Sequence, residues 1–163
     1  QRRPPVCLQR VHRHFAPVSA HVGGHGACGQ HLDAARHVGG HVLVMDVFSA
    51  FGFVMPRNSR RQAAFNPAGR KDTGALTEAD KVKILKEFGN RPALLYMPGH
   101  IMIHLGIVDG RVYAIHSAWG LKESNHAGER TLMAGRVVVS DTTRGGGGRG
   151  PLLKRVTVIT PLG

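Results

Sequence analysis

A segment between residues 94 and 119 constrains the fold more than any other part of the sequence. Its letters, LLYMPGHIMIHLGIVDGRVYAIHSAW, alternate apolar and polar residues on both sides of Asp109-Gly110. Alternation with a period of two predicts a strand, and an Asp-Gly pair between two such runs predicts a tight hairpin turn. His100 opens the first strand and His116 lies near the end of the second. Antiparallel pairing across the turn therefore brings these two histidines close together.

Two adjacent imidazoles on rigid strands suit acid–base chemistry, in which one ring transfers a proton and the other orients it. A single histidine in a sheet is more often a structural residue than a catalytic one. His104 shares the first strand and, at an even offset from His100, points to the same face. Spacing alone does not decide which of His100 and His104 is functional.

Composition places the chain among ordinary single domains. It has 163 residues, 42% of them apolar and 20% charged, which is enough for one hydrophobic core. There is no apolar run long enough for a membrane span, and no cofactor is expected. The first residues, Gln-Arg-Arg-Pro-Pro, resemble neither an initiator methionine nor a signal peptide, so the chain is expected to be a fragment or a processed piece.

The formal net charge of +12 predicts attraction to polyanions. The basic residues are scattered, aromatic residues make up only 6%, and no nucleic-acid-binding motif is present. A nucleic-acid partner is therefore not expected.

Residues 1–41 differ in character from the rest. They contain seven of the eleven histidines and both cysteines, and they show no sustained period of 2 or 3.6. A zinc site built from His21, His25, His37, His41 and the two cysteines is one hypothesis. The i,i+4 pairs converge only on a helix, however, and two glycines interrupt each of them. A degraded, disordered or frame-shifted segment is the preferred interpretation.

From Val42 onward the pattern becomes regular. Residues 42–51 predict a short buried helix ended by Gly52, and Asn58 or Ser59 can cap a short helical turn. Thr77, with Glu78 and Asp80 behind it, begins an amphipathic helix that stops at Gly89. After the hairpin, residues 135–140 and 153–161 predict two more strands. Helices followed by antiparallel strands indicate an α+β fold with the helices packed on one face of the sheet.

The motifs PRNSRRQA, LLYMPGHIMIHLG and VYAIHSAWG, in this order after a Phe-Gly helix end, resemble the NlpC-type cell-wall cysteine peptidases of the papain-like superfamily. The nearest group has Src-homology-3-like domains ahead of the peptidase. The similarity covers residues 42–163. It implies a papain-like fold, a location in the cell envelope, periplasmic or extracellular, and hydrolysis of peptidoglycan stem peptides between γ-linked D-glutamate and the following diamino acid.

The resemblance also assigns roles to individual residues. His100 matches the proton-transferring histidine of the family and His116 matches the residue that orients it, which leaves His104 as a structural residue. Arg57, Asn58, Ser59 and Trp119 are implied to lie beside the substrate.

The chain departs from the family at the nucleophile. Members carry Asp-Cys-Ser at the start of the Phe-Gly helix, and this triplet aligns with Gly39-Gly40-His41. The nearest thiol is Cys28, a dozen residues upstream, and we do not expect it to substitute. Damage to the upstream reading frame is our preferred explanation, and evolution of a non-catalytic domain is the alternative.

Three functions therefore remain open at this point. The first is a cell-wall cysteine endopeptidase whose chain as written lacks its nucleophile, and the second is a non-catalytic peptidoglycan-binding domain. The third is a basic polyanion- or metal-binding protein built on the histidines of residues 1–41.

Overall fold

The computed structural model describes residues 39–89, 91–125, 128–144 and 147–162. Within them the chain forms four helices, six strands and a short 3-10 turn. The helices are α1 Gly40–Ser49, α2 Ser59–Gln62, α3 Glu78–Phe88 and α4 Leu152–Arg155, with the 3-10 turn at Gly147–Arg149. The strands are β1 Lys71–Asp72, β2 Ala93–Met97, β3 His100–Val108, β4 Arg111–Asn125, β5 Gly128–Asp141 and β6 Val158–Pro161.

The strands form one antiparallel sheet in the order β1-β6-β2-β3-β4-β5. The predicted hairpin is present as β3 and β4, and its turn is Asp109-Gly110, where both residues have positive φ. The sheet with its accompanying helices confirms the α+β class. The segment predicted as a strand at residues 135–140 belongs to the much longer β5.

The helices cover both faces of the sheet, so the prediction of helices on a single face is wrong. One face packs on α1 through a cluster that contains Val44 and Phe48. The opposite face packs on α3 and α4 through Leu85 and Leu153. The physical reason lies in β2, where four of the five residues are buried and the fifth is half-buried, so neither face of the strand is exposed. A strand that is apolar on both sides needs cover on both sides.

Caps define two of the helices as the sequence predicts. The Thr77 hydroxyl accepts a hydrogen bond from the Asp80 amide at 3.2 Å and begins α3, and Gly89 with φ 60° ends it. The Asn58 side chain accepts from the amides of Arg60 and Arg61 and begins α2. Each cap satisfies amides that the first helical turn leaves without a partner.

Helix α4 replaces the first part of the closing strand predicted at residues 153–161. Lys81 holds this helix in place. It is completely buried and donates from Nζ to the carbonyls of Leu153, Lys154 and Val156 at 3.1, 2.8 and 2.7 Å. Burial lowers the pKa of Lys81, whereas the three carbonyls at the end of α4 give its ammonium hydrogen-bond partners. Lys81 thereby fixes the position of α4, and β6 is reduced to Val158–Pro161.

Candidate active site

The strand register brings His100 and His116 together. Pairing of Ile103 with Ile115 makes the two histidines diagonal neighbours on the same face of β3 and β4. His100 Nε2 lies 2.9 Å from His116 Nδ1, and the rings are 4.9 Å apart and nearly perpendicular at 88°. The two side chains that the sequence predicts as a pair therefore share a hydrogen bond.

Ser140 extends this pair into a chain of three side chains. Strand β5 pairs with β4 so that Val138 lies opposite His116, and Ser140 follows two residues later on the same face. His116 Nε2 lies 2.8 Å from Ser140 Oγ, and both side chains are buried. We call His100, His116 and Ser140 the relay. It crosses three adjacent strands, so its geometry is set by the sheet.

His116 is neutral in the folded protein. Its side chain is only 1% exposed, and burial, followed by the charge of His100, lowers its pKa to about 3. A neutral imidazole donates from one nitrogen and accepts at the other. If Ser140 accepts from His116 Nε2, then His116 Nδ1 accepts from His100 Nε2. In that tautomer the proton between the two rings is carried by His100 Nε2.

The relay opens into a cleft of about 550 Å³. The start of α1 forms one side of the cleft, with Gly39, Gly40 and His41. Arg144, Arg149 and Arg155 also line the cleft, and we call these three arginines the basic wall. A volume of this size is typical of sites for small ligands or for a few residues of a peptide.

The start of α1 carries no nucleophile. Gly39 is the N-cap and no side chain caps the helix. Gln62 is fully buried and fixes this turn, donating from Nε2 to the carbonyls of His41 and Pro56 at 2.8 and 2.7 Å. A Cβ at Gly40 would lie 2.9 Å from the Ile101 carbonyl oxygen. The position that aligns with the family's cysteine is therefore both without a thiol and closely packed against β3.

The residues predicted to contact substrate divide into two groups. Ser59 and Trp119 line the cleft, and the Trp119 side chain is 61% exposed. Arg57 and Asn58 do not belong to the cleft lining. Asn58 is occupied as the cap of α2, and Arg57 is exposed beside it.

His104 is separate from the relay. It lies between Ala93 and Ala114 in the sheet, is 6% exposed, and is not part of the cleft lining. Burial lowers its pKa. Its position agrees with a structural role.

Three features of the cleft were not predicted from sequence. They are Ser140, the buried Ser117, and the basic wall. Ser117 is 3% exposed, and its hydroxyl has no hydrogen-bond partner among the described residues. Ser140 directly follows the VVV run of a predicted strand, but nothing in that run indicates which histidine its side chain meets.

The metal hypothesis lies mostly outside the described residues, because of its members only His41 is described, and His41 lines the cleft. The described part of the chain contains no group of three or more histidine, cysteine, aspartate or glutamate residues that could hold a metal ion. The assignment of residues 1–41 as a degraded segment also falls almost entirely outside the described ranges.

No model of a known protein family matches the chain, and a search of curated proteins finds no match either. Across the ranges that the structure describes, no helix has the length and apolar character that crossing a membrane requires.

Proposed function

We propose that the chain is an NlpC-type cell-wall hydrolase domain with a papain-like arrangement, which binds peptidoglycan stem peptides in its cleft. The observation that carries the proposal is the relay, because its imidazole pair opens into the same cleft as the start of α1. A nucleophile at a helix start beside an oriented imidazole is the arrangement that cysteine peptidases use. The family is proposed from the sequence motifs that contain Pro56, Pro98 and His116.

The proposed chemistry is hydrolysis of the bond between γ-D-glutamate and the diamino acid. A thiolate at the helix start would attack the carbonyl carbon, and helix amides would stabilise the resulting oxyanion. His100 would take the thiol proton and give it to the leaving amine as the peptide bond breaks, while His116 and Ser140 hold the ring orientation. Water, deprotonated by His100, would then attack the acyl thioester, releasing the γ-D-glutamyl carboxylate and the thiol. Gly40 stands where this thiol would be, so the chain as written binds without cleaving.

The loss of the nucleophile has two explanations that nucleic acid can separate. Reading codons 20–50 in all three frames is the test. If another frame encodes Asp-Cys-Ser directly before α1, the natural protein is an ordinary cysteine endopeptidase of the cell envelope. An intact frame as given makes the non-catalytic peptidoglycan-binding domain the leading account. The polyanion-binding alternative is supported by the net charge of +12.

Binding of a stem peptide is the direct test of the proposal. The full chain is titrated with the soluble tetrapeptide L-Ala-γ-D-Glu-diaminopimelate-D-Ala while amide and imidazole NMR signals are followed. We expect shifts concentrated at His100, Trp119 and the start of α1. The matched control is a linear peptide of the same net charge with α-linked L-residues, which should bind more weakly. Absence of binding, or shifts confined to residues outside the cleft, would overturn the proposal.

A further inference from the structure

We propose that the basic wall of the cleft is an anion subsite, separate from the relay, which takes the carboxylates of an acidic peptide. This inference rests on the proposed function, because it names the chemistry by which the cleft would recognise its peptide. It concerns a different group of residues, Arg144, Arg149 and Arg155, none of which the sequence motifs or the relay account for.

The charges that line the cleft are strongly unbalanced. Three arginines line it, namely Arg144, Arg149 and Arg155, whereas Asp141 is the single acid among the described lining residues. Clefts lined by one sign of charge concentrate ligands of the opposite sign, because the low-dielectric walls focus the field. An anionic ligand is the chemistry that this lining favours.

Asp141 does not neutralise the wall. Its Oδ1 already accepts hydrogen bonds from the amide and hydroxyl of Thr143, at 3.0 and 2.5 Å. Its Oδ2 lies 3.5 Å from Arg144 Nε and 3.9 Å from Arg111 Nε, and it makes no hydrogen bond within the described residues. One carboxylate shared between two guanidinium groups at these distances leaves Arg144, 64% exposed, able to bind a ligand.

The other two arginines of the wall have no ion pair within the described residues. Arg149 ends the 3-10 turn and Arg155 ends α4, where Lys154 adds a further cation and the ammonium of Lys81 lies directly beneath. Positive side chains at the end of α4 are favourable toward the helix dipole, and neither Lys154 nor Arg155 has an acidic partner within the described ranges. A bound carboxylate would supply such a partner.

The shape of the cleft selects a peptide over a long polyanion. A volume of about 550 Å³ accommodates a few residues. Trp119 lines the cleft with an exposed side chain that can contact the aliphatic parts of a ligand. Arginine binds carboxylates in a bidentate geometry, so a peptide with two or more carboxylates matches this lining best.

Calorimetric titration of the full chain tests the subsite. The probes are the stem tetrapeptide, the same peptide with its carboxylates amidated, and citrate as a simple anion. The test variant is Arg149→Gln/Arg155→Gln. The matched control is Arg60→Gln/Arg61→Gln, which removes the same charge from exposed positions of α2 outside the cleft lining. Trp119 is the single tryptophan of the chain, so its fluorescence reports occupation of the cleft independently.

We expect amidation, or the double substitution in the cleft, to weaken peptide binding by about tenfold or more, and the α2 control to change it less than about twofold. Citrate binding that depends on Arg149 and Arg155 without any peptide binding would keep the subsite and remove the proposed function. Equal affinity for both peptides and both variants would overturn the subsite and keep the function. Tighter binding of a dT12 oligonucleotide through the same arginines would overturn the peptide assignment, and so would a failure of all three probes to bind.

Discussion

The two sides of the cleft differ in how their residues are held. On the strand side, three side chains from β3, β4 and β5 form an unbroken hydrogen-bonded relay. On the helix side, α1 begins at Gly40 with no capping side chain and no thiol. The relay depends on sheet register, which forms whether or not the helix start can react. The difference teaches that sheet register alone can align the three side chains of the relay, whatever residue stands at the start of α1.

Substitution of His116 by alanine should show most strongly that the strand side of the cleft is more sensitive to substitution than the helix side. The change removes the centre of the relay, leaves buried Ser140 without this partner and creates a cavity, so we expect a loss of about 3 kcal/mol in the free energy of unfolding. On the helix side, the atoms nearest to a Cβ at Gly39 belong to the His41 imidazole, which can rotate away. We expect Gly39→Ala to cost about 0.5 kcal/mol. Urea denaturation of both variants measures the two losses of stability. Equal losses would contradict the claim that the strand side of the cleft is held more firmly than the helix side.

The pH dependence of stability should carry the signature of neutral His116. Its pKa is lowered from 6.5 to about 3, so between these values the unfolded chain binds a proton that the folded chain does not. His116 therefore contributes its full stability above pH 6.5 and loses it as the pH falls toward 3. Relative to His116→Gln, we expect the free energy of unfolding to fall by about 1.4 kcal/mol per pH unit within this window.

Denaturation of the protein and of His116→Gln at matched pH values separates the contribution of His116 to the pH dependence from that of the buried His104. Parallel stability curves for the two proteins between pH 6 and pH 3 would contradict a neutral His116.

Cysteine substitutions at Gly39 and Gly40 test how closely the start of α1 is packed against β3. At Gly40 the new Cβ would lie 2.9 Å from the Ile101 carbonyl oxygen, which is backbone and cannot move without shifting β3. At Gly39 the nearest atoms belong to the His41 ring, at 2.7 and 2.9 Å. We expect Gly40→Cys to destabilise the protein by about 1–2 kcal/mol more than Gly39→Cys.

Both cysteine variants are made with Cys7 and Cys28 replaced by serine, so that the added thiol is the single one in the chain. Urea denaturation gives the stabilities, and the pH dependence of iodoacetamide alkylation gives the thiol pKa, which a helix start should lower. Equal stabilities for the two variants would show that the contact with Ile101 does not constrain this position.

Of the substitutions in the relay, Ser140→Ala is expected to have the smallest effect. Loss of the hydroxyl should cost about 1 kcal/mol and free His116 to exchange the positions of donor and acceptor nitrogens. Imidazole ¹⁵N shifts report the tautomer, which a purely structural role of Ser140 would leave unchanged. The control is Thr142→Val, which removes a buried hydroxyl bonded to the Val112 carbonyl outside the relay. Identical ¹⁵N shifts in both variants would show that Ser140 does not fix the tautomer of His116.

Local features of the fold were predictable because their causes are local. The Asp109-Gly110 turn, the Thr77 and Gly89 boundaries of α3, and the proximity of His100 and His116 follow from turn chemistry, caps and strand periodicity. These features depend on residues that are adjacent in sequence or related by one hairpin.

Features that depend on distant pairing were not predictable. Ser140 meets His116 only through the register of β4 and β5, and that register shifts at a bulge between Ala118 and Gly120. The periodicity of α3 places Lys81 on the same side as Leu85 and Phe88, yet nothing in the sequence indicates the carbonyls of α4 that accept its hydrogen bonds. Cover on both faces of the sheet was overlooked because β2 was treated as part of an alternating hairpin.

Incubation of the chain as written with the stem tetrapeptide, followed by mass spectrometry of the products, tests the central claim most directly. With the peptide shown to bind by calorimetry, we predict no released product that carries diaminopimelate. The start of α1 has no thiol for His100 to deprotonate. Release of that product at a rate abolished by thiol alkylation would contradict the account, since Cys7 or Cys28 would then be supplying the nucleophile.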